Sequence, residues 1–121
     1  MIETPLNWVA GWGLILLGFI SGAVIGIGFH QDTFLGGYAS MRRRMVRLGH
    51  IACVALGVIN ILCSLAPGPG ALAPILLLVG GILMPVVCFL CAWRTPWRHA
   101  FPVPVAALVT AVVLILIRGA S

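Results

Sequence analysis

Four long apolar runs, with almost every charge of the chain placed between or beyond them, constrain the fold before anything else does. They cover residues 8–29, 46–65, 72–93 and 101–117, and Arg47 sits at the edge of the second. An α-helix rises about 1.5 Å per residue, so about 20 apolar residues cross the hydrocarbon of a bilayer. The first three runs reach that length. The fourth is near the lower limit, with Pro102 and Pro104 in its first turn, where a missing N–H costs little. The expected fold class is therefore all-α: an integral membrane four-helix bundle forming a single transmembrane domain over residues 1–121.

Composition agrees. Only 7% of residues are charged and 62% are hydrophobic, whereas a soluble domain is roughly a quarter charged. A short soluble chain exposes too much surface to carry so little charge. The first run follows Glu3 directly, without the basic start and small-residue cleavage site of a secretory signal. A retained first helix is expected.

The net charge of +5 comes from seven arginines and no lysine. Arg42, Arg43, Arg44 and Arg47 lie between or at the edge of the first and second runs, and Arg94 and Arg98 between the third and fourth. With four crossings these links share one side, leaving Arg118 on the other. The positive-inside rule places the six-arginine side in the cytoplasm and both termini on the non-cytoplasmic side. The same bias argues against a protein that inserts both ways. A bacterial inner (cytoplasmic) membrane is the expected location. The arginines are suited to anionic lipid headgroups or to an acidic partner. No basic-plus-aromatic platform for single-stranded nucleic acid is present, so nucleic acid is not an expected partner.

The links predict the order of packing. Pro67, Gly68, Pro69 and Gly70 make a tight turn between the second and third helices, which should be antiparallel neighbours. The 94–100 link is also short. The 30–45 link is longer and holds Ser40, a suitable N-cap for a helix that starts before its apolar run. Trp8, Trp12, Trp93 and Trp97 fall where indole rings anchor at membrane interfaces.

Several groupings invite chemistry. Gly18, Gly22 and Gly26 repeat every four residues, a spacing that lets membrane helices pack closely, and His30 continues the step. Such a step drifts by about 40° per repeat on a 3.6-residue helix. His30, His50 and His99 all fall near the arginine-rich side. Imidazole is a common metal ligand, so His50, with His30 or His99, is the candidate axial ligand set for haem or a chlorophyll-type pigment. The plainer reading is that these histidines bond headgroups or backbone. Cys88 and Cys91 share a helical face, but no second pair accompanies them. All four cysteines lie in apolar runs and are expected as free thiols. Gly80 and Gly81, followed by Pro85, predict a bend in the third helix. Asn60 lies on a small-residue face with Gly49, Cys53 and Gly57 and should bond another helix.

No acidic residue lies inside a run, which weakens a proton-coupled transporter. Four-helix small multidrug transporters carry a membrane-embedded glutamate in the first helix. Fluoride channels of similar length carry a Phe-Ser-Thr segment in the third helix. Neither pattern occurs here. The expected role is a non-catalytic subunit of a larger membrane complex, an electron-transfer assembly of respiration or photosynthesis, with other membrane subunits as partners. A haem- or pigment-binding membrane protein is the alternative, and a small oligomeric channel or transporter a further one.

Overall fold

The computed structural model describes residues 3–120. Its elements are α1 (Pro5–Gly28), α2 (Met41–Leu65), α3 (Leu72–Trp93) and α4 (Pro102–Ala120), with short 3₁₀ turns at Phe34–Gly36 and Thr95–Ala100. All four helices are long and apolar enough to cross a membrane, and the chain is a multi-pass membrane protein with a four-helix bundle.

Local chemistry sets the helix ends. Pro5 opens α1 with a φ already suited to a helix. The α2 helix starts five residues before its apolar run because Ser40 caps it, accepting the Arg43 N–H at 3.2 Å. Between α2 and α3, Gly68 and Gly70 take φ of 57° and 79°, values glycine adopts without a Cβ penalty.

Each helix packs mainly on its chain neighbours, and α1 touches α3 along a thinner line. The α2 and α3 helices therefore form the centre. The α4 helix is the most open, with 11% of its apolar window buried against 44% for α3. Cys63 of α2, Leu77 of α3 and Ala111 of α4 meet in a small core, flanked by Leu76 and Leu108.

In lipid, helices are held by close backbone approach and polar bonds rather than by exclusion of water. The seam between α1 and α2 follows that rule. The buried residues of α1 are Asn7, Gly11, Leu14, Ile15, Gly18 and Ile25, among which Asn7–Leu14 and Gly11–Gly18–Ile25 repeat at seven-residue spacings. At the tightest crossing a Cβ on Gly11 would lie 2.7 Å from the Gly57 carbonyl oxygen, and a Cβ on Gly57 equally close to that of Gly11. Gly18 abuts Val54 and Gly22 abuts the His50 ring. Gly26 departs from the expected ridge: it is exposed, and nothing lies within 4 Å of its Cβ position. The seam advances by sevens, so a step of four rotates off it, and Ile25 takes the buried place.

The paired glycines of α3 serve two different neighbours. Gly80 receives Leu108 and the Pro104 carbonyl of α4, while Gly81 faces the Asn60 amide of α2. The α3 helix runs through Pro85 as one continuous helix.

Candidate functional site

At one end of the bundle lie the ends of α1 and α3, the starts of α2 and α4, and six arginines. The link between α1 and α2 folds through an unusual run of left-handed residues: Leu35, Gly36 and Gly37 have φ of 52°, 87° and 98°. The two glycines take this conformation readily, whereas Leu35 is strained in it. The Ser40 hydroxyl holds the turn by donating to the Leu35 carbonyl at 2.6 Å. The Phe34 ring seats directly on Gly28, where any side chain would collide with it.

This fold wraps Arg43 in aromatic rings. Its guanidinium carbon lies 4.2 Å from the centre of Phe29, 5.9 Å from Phe34 and 5.8 Å from Tyr38. Arg47 lies 4.8 Å from the same Tyr38 ring. Arg43 is only 4% exposed, and its Nε is buried with no hydrogen-bond partner. Arg42 does something else: its Nε donates at 2.9 Å to the Ala92 carbonyl, tying the start of α2 to the end of α3. Arg94 stacks against Trp93 at 5.1 Å, and Arg44 and Arg98 are exposed. Among the described residues, no carboxylate pairs with any of these six arginines.

The three histidines do not converge. His30 lies just beyond the end of α1 and His99 in the Thr95–Ala100 turn, both exposed. His50 is half-buried between helices, with its Nδ1 2.7 Å from the Gly18 carbonyl oxygen and its ring over Gly22. A carbonyl only accepts, so Nδ1 carries the proton and donates. No group of three or more metal-ligating side chains forms among the described residues. Cys88 and Cys91 are both buried free thiols, and Cys91 points its Sγ toward the Thr95 carbonyl at 3.8 Å.

Towards the opposite end, a polar knot joins three helices. Asn7 Nδ2 donates to Asn60 Oδ1 at 2.8 Å and to the Pro74 carbonyl at 3.0 Å. Asn60 Nδ2 donates to the carbonyls of Leu56 at 2.9 Å and Leu77 at 3.2 Å. Asn60 is wholly buried and Asn7 nearly so. Asn7 precedes the first apolar run and escapes a search confined to the runs. Its place on the Asn7–Gly11–Leu14–Gly18 repeat is the signal that marks it.

Among the grooves along the helices, two are relevant to partners or cofactors. One, about 640 Å³, lies between α1 and α3, walled by Ala10, Gly13 and Leu17 on one side and Ile82, Pro85 and Val86 on the other. The second, about 380 Å³, lies between α2 and α4 under the Pro-Gly turn. His50 lines neither. Compared with protein-family models, curated proteins and solved structures, the chain matches none.

Proposed function

We propose that this chain is a non-catalytic helical subunit of a larger membrane assembly and that it docks its neighbour in the groove between α1 and α3. One observation carries the reading. The groove is almost wholly apolar, and Gly13 stands in its wall with nothing within 4 Å of its Cβ position. In a bilayer, small residues on a helix surface are where a second helix comes close. The fitting occupant is a transmembrane helix of a partner subunit, with side chains that fill what Ala10 and Gly13 leave open. Three buried polar side chains and the half-buried His50 support a scaffolding role: Asn7, Asn60, Ser64 and His50 bond to helix backbone or to one another. On this reading the arginine-rich end faces the cytoplasm across a bacterial inner membrane, and the assembly's work is electron transfer, respiratory or photosynthetic. Native membranes solubilised in mild detergent should yield the chain in a large assembly with visible redox-cofactor absorbance. Recovery as a free monomer overturns the subunit role, and a large assembly without such absorbance overturns electron transfer alone.

A second reading rests on His50. With Nδ1 donating to the Gly18 carbonyl, the neutral ring carries its lone pair on Nε2, and ligating histidines commonly have their other nitrogen held this way. The visible spectrum of the purified chain, expressed with haem or pigment supplied, decides it. Lack of a Soret or pigment band removes it.

A further inference from the structure

We propose that the Arg43–Arg47–Tyr38 cluster binds the phosphate of an anionic phospholipid headgroup. The first reason is an uncompensated charge. Arg43 is 96% buried by the measure of its 4% exposure, yet its Nε meets no acceptor and no carboxylate pairs with it. Buried charges are ordinarily paired, because an ion taken out of water loses solvation that only a partner replaces. The faces of Phe29, Phe34 and Tyr38 offset part of that cost. They supply no counter-charge.

The second reason is repulsion. Arg47 shares the Tyr38 ring with Arg43, so two cations crowd one aromatic side chain. The start of α2 adds to the excess. A helix N-terminus is itself positive and favours acidic residues or anions, yet the first turn of this helix carries Arg42, Arg43 and Arg44 and no acid. An anion at this spot relieves all three terms together.

The position names the source of the anion. Phe29 caps the end of α1 and Ser40 the start of α2, so the cluster lies where two membrane-spanning helices stop. That is the level of headgroup phosphates. Guanidinium matches phosphate geometry better than a point cation does. A headgroup without an ammonium is favoured, because a choline would bring a fifth cation to Arg42, Arg43, Arg44 and Arg47. This inference is independent of the docking groove.

The test uses the purified full chain in a neutral detergent and measures binding of short-chain phosphatidylglycerol, phosphatidylcholine and inorganic phosphate by native mass spectrometry. Phosphatidylglycerol should bind about fivefold more tightly than phosphatidylcholine, because the phosphate is common to both and the choline adds a like charge, which at about 4 Å in water costs about that factor. Arg43→Gln and Arg47→Gln should each weaken phosphatidylglycerol by about tenfold on the same ground. Arg98→Gln, an exposed control in the Thr95–Ala100 turn, should change it less than about twofold, as a surface charge does. Should Arg43→Gln fail to fold, Arg47→Gln alone decides. Equal binding of the two lipids, or unchanged binding in the folded glutamine variants, overturns the proposal. Inorganic phosphate binding as tightly as phosphatidylglycerol overturns the lipid as its source.

Discussion

Replacing Gly11 by alanine should push α1 and α2 apart where their backbones come closest. The new methyl would lie 2.6 Å from Ile61 Cγ1 and 2.7 Å from the Gly57 carbonyl oxygen, whereas ordinary contact begins at 3.4 Å. The isoleucine side chain can turn away. The carbonyl cannot, so the helices must separate by roughly 0.7 Å at the crossing, the difference between the last two distances. Overpacking of this kind costs about 1–3 kcal/mol. Alanine also favours a helix over glycine by up to about 1 kcal/mol, which masks part of the loss. Gly13→Ala removes that ambiguity, because it makes the same change two residues away where nothing lies within 4 Å. Unfolding in mixed detergent micelles, read by a thiol-reactive dye that meets the four buried cysteines only on opening, should place Gly11→Ala below Gly13→Ala by about 1–3 kcal/mol. Gly57→Ala should behave like Gly11→Ala, and the double variant should lose less than the sum, since both strain one contact. Equal stability of Gly11→Ala and Gly13→Ala would refute the close crossing.

The polar knot predicts a coupling between Asn7 and Asn60 of about 0.6–1.7 kcal/mol, measured by a double-mutant cycle with Asn7→Ala and Asn60→Leu. A value near zero would mean the two amides do not bond. Gly81→Ala should lower the unfolding midpoint more than Gly26→Ala, because its methyl would fall 2.7 Å from Asn60 Nδ2 while that of Gly26 meets open space. His50→Ala should cost about 1–2 kcal/mol through the lost bond to Gly18 and the emptied notch over Gly22, read in the same unfolding assay. In folded protein a maleimide should label Cys53, Cys63, Cys88 and Cys91 slowly, and all four should react at once after denaturation in SDS.

The four spans are legible in the sequence because hydropathy and charge act along the chain. The runs at 72–93 and 101–117 differ little from Leu72–Trp93 and Pro102–Ala120, and Ser40 already marks the early start of α2. What faces what is less legible, because it depends on helix phase and on partners distant in the chain. The four-residue glycine step suggests a ridge through Gly26, but the seam advances by sevens and only Gly18 and Gly22 lie on it. Gly57 already lies on the small-residue face of α2, but nothing local marks Gly11 as the residue it meets, since the crossing exists only between the two. Gly80 and Gly81 predict a bend with Pro85, and their second use, admitting Leu108 of α4 and Asn60 of α2, shows only once those helices are seen on either side. Asn60 is recognisable as a polar residue inside a span, whereas Asn7 needs Asn60 and Pro74 in place to show its purpose. In the sequence the arginine cluster reads as one cationic patch for headgroups or an acidic partner. Its members differ because the loop from Phe29 to Tyr38 folds back over Arg43 and leaves Arg44 outside.

Site-specific photo-crosslinking in native membranes tests the subunit role most directly. A photoreactive residue in place of Gly13, in the wall of the α1–α3 groove, should capture one discrete membrane protein on illumination. The same residue in place of Leu116, on the exposed face of α4, should give lipid adducts or diffuse products. A discrete protein adduct at Gly13 alone is the predicted result. Lipid adducts at both positions would contradict docking in the groove.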